Sequence, residues 1–209
     1  MPTHANADLD SLAGHIRACR LCLERPAGRA LPHKPRPVLV PSTRARILIA
    51  GQAPGTKVHA TGIPFNDASG DRLRDWLGVA RDAFYDPGNF AIVPMGFCFP
   101  GQDARGADLP PRRECALEWR QRLMALMPQL ELVLAIGLYA QAWHMGASRR
   151  RSLTETVEDW RTIFAASAAP KILPLPHPSW RNTGWMKRNP WFAAELLPFL
   201  RTQIAMRLG

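Results

Sequence analysis

Four short runs of unbroken apolar residues constrain the fold of this chain more than any other feature. They are 46–50 (RILIA), 90–94 (FAIVP), 131–136 (ELVLAI) and 171–175 (KILPL). None alternates apolar with polar residues, so each predicts a strand covered on both faces. Helical patterns lie between them: 69–77, opening on Ser69; 112–127, with Cys115, Leu117, Leu123, Met124 and Met127; and 138–145, after Gly137. A further helix is expected over 8–18, where Leu9, Leu12 and Ile16 share a face. A last one is expected to begin at Asn189-Pro190, with Pro198 kinking or ending it. Strands alternating with helices predict an α/β protein: a three-layer α/β/α sandwich around a central four-stranded parallel sheet, with 1–209 as one domain. Ligands of such sheets sit beyond the carboxyl ends of the strands.

Charge and composition narrow the partners. Twenty-seven Lys and Arg against 17 Asp and Glu leave a net charge of +10, which suits a polyanion such as nucleic acid. An arginine-rich composition without such a partner is the plainer alternative. No apolar run reaches the length of a membrane span. The start, MPTHANADLD, lacks the basic and apolar regions of a signal peptide, so a cytoplasmic protein is expected; a monomer is expected as well. In that compartment four cysteines do not read as two disulfides. The 20 prolines cluster in 26–41, 94–111 and 170–178, which should be loops.

Two of the predicted strands end in unusual loops, GQAPGTKVHATGIPF (51–65) and PLPHPSWRN (174–182). In that order they resemble the uracil-DNA glycosylase superfamily, whose members carry a Gly-polar-x-Pro loop after the first strand. A base-stacking Phe follows in that family, and a His-Pro-Ser loop closes the site after the last strand. The resemblance implies roles for Gln52 and Ala53 in the first motif and for Phe65 under the base. It makes His177 the donor to the uracil carbonyl. The closing loop, His177-Pro178-Ser179 continuing into Trp180 and Arg181, would press on the DNA, with Lys187 and Arg188 as phosphate contacts beyond it. GQAPGT is not a Walker loop, because the Gly-Lys-Ser/Thr ending is missing.

The resemblance is closest to the iron–sulfur uracil-DNA glycosylases first known from thermophiles. Cys19 and Cys22 match their N-terminal Cys-x-x-Cys, and Cys98 and Cys115 match the second pair. It implies that these four hold a [4Fe–4S] cluster; a zinc site and four buried free thiols are the alternatives. Two departures stand out. Where most iron–sulfur members have Glu the chain has Gln52, and where the aspartate-type relatives have Asp it has Ala53, so the motif holds no carboxylate. Pro94 stands where the family has its uracil-reading Asn. Asp67 or Asn66 could take over part of water positioning or base reading, or Asp67 or Ser69 could cap the next helix. His59 falls on the stretch TKVHATG, expected to be a flexible loop. Two readings remain open: a glycosylase removing uracil or another deaminated base from DNA by base flipping, and a weak or inactive relative that binds damaged or abasic DNA.

Overall fold

In the computed structural model, residues 4–209 are described. Two helices open the chain, α1 (His4–Arg17) and α2 (Leu21–Glu24). Strand β1 (Ile47–Ala50) follows, then α3 (Thr56–Thr61), α4 (Ala68–Leu77) and α5 (Arg81–Tyr85). Strand β2 (Phe90–Ile92) leads by a long loop to α6 (Arg113–Ala125), β3 (Leu132–Ile136) and α7 (Gly137–Met145). After α8 (Leu153–Glu158) and α9 (Trp160–Ala166) come β4 (Lys171–Leu175), α10 (Thr183–Arg188) and α11 (Leu197–Leu208). The four strands make one parallel sheet in the order β2-β1-β3-β4, with Ile49 level with Ile92 on one side and Leu134 on the other. The α/β/α architecture expected from the sequence is the one observed.

The period-two alternation of side chains sorts each strand between two cores. Ile47, Ile49, Phe90, Ile92, Leu132, Leu134, Leu173 and Leu175 face one layer, where Leu73 and Trp76 of α4, Trp160 of α9 and Leu200 and Ile204 of α11 cover them. Leu48, Ala50, Ala91, Val93, Val133 and Ala135 face the other, under Leu9, Leu12 and Ile16 of α1 and Ala116 and Leu123 of α6. All of these strand side chains are removed from water, which explains why the runs are unbroken. Pro174 is tolerated because β4 is an edge strand, where a missing N–H costs no ladder bond. The opposite edge, β2, is covered by 38–40: Val40 and Ile92 exchange backbone hydrogen bonds, and Val38 N donates to Phe97 O.

Two local expectations change. The stretch TKVHATG is not a flexible loop but α3, closed by Gly62 in the left-handed conformation at φ 74°. Pro198 does not end the last helix. The chain stays helical from Trp191 to Leu208 through a π-helical turn over Phe192–Leu196, placed just ahead of Pro198. The wider turn accommodates the missing N–H and the bulk of the ring. Asn189 is instead the C-cap of α10, its side chain donating to Trp185 O.

Candidate functional site

The carboxyl ends of β1, β2 and β4 open into one cavity of about 350 Å³. Its walls are built loop by loop. After β1, the backbone of Gly51-Gln52 is tied to the end of β2: Met95 N donates to Gly51 O and Gly96 N to Gln52 O, each at 2.9 Å. Gln52, Ala53 and Pro94 therefore line one wall together. Gly51 is small for a reason, since a Cβ there would meet the ring of Phe65 at 3.3 Å.

Phe65 has φ 53°, the only positive value at a non-glycine residue among those described. Left-handed backbone at a bulky residue is strained, and such strain gathers at functional sites. Here it is held from several sides. Tyr85 Oη donates to Phe65 O at 3.2 Å, the ring meets Phe84 edge-on, and the carbonyl lies over the first turn of α4. That turn closes on Gly70, where a Cβ would sit 1.7 Å from Phe65 O. The cap of α4 is Asp67, whose Oδ1 accepts from Gly70 N at 3.0 Å while the residue also lines the cavity. The capping role weighed in the sequence thus falls to Asp67; Ser69 lies inside the helix.

Asn66 is placed differently from the expectation. Its Oδ1 accepts from Arg81 Nη2 at 3.0 Å, and it is not among the cavity walls. His59 is also outside the cavity, packed 4.4 Å from the ring of His33 and near Phe99.

The loop after β4 brings His177 to the opposite wall. Ser179 N donates to His177 Nδ1 at 3.2 Å, and Asn182 Nδ2 donates to His177 O at 2.7 Å. From α4, Arg72 holds the same loop through Ser179 O and Thr183 Oγ1. Because Nδ1 accepts, the neutral ring carries its proton on Nε2. Burial pushes the imidazole below the ordinary histidine range, against the pull of Asp67 and Asp108 toward the protonated form. The result is a neutral hydrogen-bond donor. Ser179, Trp180 and Arg181 complete the rim, with Trp180 72% exposed. Lys187 and Arg188 lie outside the cavity, exposed on α10.

Sequence reasoning missed the third side of the site. The loop between β2 and α6 crosses the mouth of the cavity and contributes Gln102, Gly106 and Asp108. Arg181 Nη2 reaches Gly106 O at 3.4 Å, joining this loop to the His-Pro-Ser loop. Its Gly and Pro residues marked a loop, but only the tertiary fold sets it over the site.

The model of the uracil DNA glycosylase superfamily matches residues 37–201. The chain belongs to that superfamily. Membership implies a glycosylase acting on uracil or a damaged base in DNA, and the superfamily's members are typically such enzymes. Among the described residues no helix is long and apolar enough to cross a membrane.

Away from this cavity, Cys19, Cys22, Cys98 and Cys115 all line a second, small and nearly closed cavity between α1, α2 and the start of α6. Burial raises the thiols of Cys22, Cys98 and Cys115, that of Cys98 to about 12. Among the described residues no three His, Cys, Asp or Glu side chains lie close enough to hold a single metal ion. Between the two cavities sits Arg120, fully buried. Its Nη1 donates to Val93 O and Pro94 O, and its Nη2 to His144 Nε2, while its Nε has no partner.

The packing of Phe65 on Gly70 sets an expectation. Gly70→Ala should destabilise the fold by about 3 kcal/mol, because backbone rather than a flexible side chain must yield. Urea unfolding measures it. A loss below about 0.5 kcal/mol, the range of ordinary surface changes, would show that α4 can move away from Phe65 at little cost.

Proposed function

We propose that this chain is a DNA glycosylase that hydrolyses the N-glycosidic bond of uracil or another deaminated base turned out of a DNA strand. The observation that carries the reading is His177, held neutral by Ser179 N with Nε2–H as its donor, in a cavity shared with Phe65. The flipped base stacks on the Phe65 ring. Negative charge develops on the base as its bond to the sugar breaks, and the Nε2–H of His177 stabilises it where it forms. A neutral donor suits this role, since it strengthens as the charge grows without giving up its proton. Gln52 orients the attacking water through its amide oxygen and cannot act as a base. Pro94 offers the base edge no side-chain donor, which loosens selection between bases. Trp180 and Arg181 meet the DNA beside the turned-out nucleotide, and Lys187 and Arg188 meet its phosphates.

The finer placement is with the iron–sulfur branch of the superfamily. Cys19, Cys22, Cys98 and Cys115 would hold a [4Fe–4S] cluster, which supplies a structural tie among α1, α2, the loop after β2 and α6. Two observations fit. All four thiols line one cavity. Arg120 is a fully buried cation that hydrogen-bonds two carbonyls and an imidazole and, among the described residues, no carboxylate. Thiolates around a cluster would supply the missing negative charge. α1 shares its core with β1 and β3, which supports reading 1–209 as one domain.

With protein in excess over single-stranded oligonucleotides carrying uracil, hypoxanthine or xanthine, alkali should reveal strand breaks at one or more of these bases. His177→Ala should slow that cleavage by about 10²-fold or more, the usual loss on removing one such donor. No breaks at any base, with DNA binding retained, would favour the damaged-DNA binder. Protein purified without oxygen should be brown, with about four irons per chain, and Cys98→Ser should lose both colour and iron. Colourless protein carrying zinc or no metal would exclude the cluster.

A further inference from the structure

We propose that Asp108, on the loop between β2 and α6, is the carboxylate that accepts the proton of the attacking water, in place of the one missing from the first motif. The proposal rests on the glycosylase reading above and names a catalytic group for it.

The first support is position. Asp108 lines the same cavity as Gln52 and His177. Its Oδ2 lies 3.3 Å from where a Cβ on residue 55 would stand, in the motif loop itself. Gly55 therefore leaves the space that this carboxylate enters, so the motif that lost its own acid is open to one from across the cavity. The second support is orientation. Gln102 Nε2 donates to Asp108 Oδ1 at 3.1 Å, which fixes the group and turns Oδ2 toward the motif loop. The third is reach: the charge of Asp108 is felt at His177, where it favours the imidazolium.

The loop is built to hold that pose. Leu109 N donates to Gly101 O at its base, and Asp103 Oδ1 accepts from both Arg105 N and Ala107 N. Arg181 Nη2 ties its tip to the His-Pro-Ser loop. The other carboxylate of the cavity, Asp67, is less suited, because it caps α4 and any shift toward a water would cost that helix its cap.

The step balances as follows. The bond from the sugar C1′ to the base nitrogen breaks, and its electron pair leaves on the base as an anion facing His177 Nε2–H. The water oxygen bonds to C1′, and the proton it sheds passes to Asp108 Oδ2 and then to solvent. The base takes a proton from solvent on release.

The test compares wild type, Asp108→Asn and Asp67→Asn in single-turnover cleavage of a uracil-containing single strand, with oligonucleotide affinity measured alongside. Asp108→Asn should lose about 10²-fold in rate with affinity changed by less than about threefold, the signature of a group acting on the chemical step. Asp108→Ala should regain part of the rate when formate is added. Asp67→Asn, which keeps a capping oxygen, should lose at least tenfold less than Asp108→Asn. A rate for Asp108→Asn within about threefold of wild type overturns the proposal, as does a larger loss at Asp67 or no response to formate. Wild-type protein that cleaves no base overturns the glycosylase reading itself, a result visible before any variant is compared.

Discussion

Ser179 N donating to His177 Nδ1 is the contact on which the chemistry of the site turns. A histidine can present either ring nitrogen to a ligand, charged or neutral, and this one bond selects among those states. It occupies Nδ1, so the proton of the neutral ring must sit on Nε2. Burial then disfavours the charged form. The contact exists only because the His-Pro-Ser turn is clamped from elsewhere, by Asn182 within the loop and by Arg72 on α4. α4 itself is positioned by its cap at Asp67 and by the close approach of Gly70 to Phe65. His177 and Phe65 are thus two ends of one packed unit.

The sheet was legible in the sequence because burial on both faces leaves unbroken apolar runs, and their strand length and flanking loops set them apart from a buried helix. All four strands fall where the apolar runs lie, and Leu48 against Ile49 shows why alternation is absent: each faces a different covering layer. The first motif and His177 were legible because they follow strands directly, so the end of the run fixes their place at the sheet's edge. α3 was not, since its six residues are held by Gly62 and the motif loop rather than by a periodic apolar face. Asp108 was not legible either. Nothing local distinguishes it from any exposed aspartate, and it reaches the site through pairings that span the chain, such as Arg181 with Gly106. Asn66 falls outside the cavity walls for the converse reason. It is next to Phe65 in sequence, but the left-handed turn at Phe65 sends its side chain to Arg81.

Arg120 joins the two halves of the molecule. A guanidinium wholly out of water, without a carboxylate, is costly unless its charge is met. Five residues along the same helix lies Cys115, and the guanidinium grips the carbonyls of Val93 and Pro94, the latter in the wall of the cavity. The cysteine site and the wall of the cavity are in this way linked through one side chain. His144, receiving Arg120 Nη2, is held neutral by burial and by that neighbouring cation.

The account rests on a neutral His177 that donates through Nε2. Nitrogen NMR of the protein labelled at histidine reads the tautomer and its titration directly, with His177→Gln to assign the signal. The account predicts the Nε2–H form, persisting to a pH below the ordinary histidine value of about 6.5. An Nδ1–H tautomer, or an imidazolium at neutral pH, would contradict it.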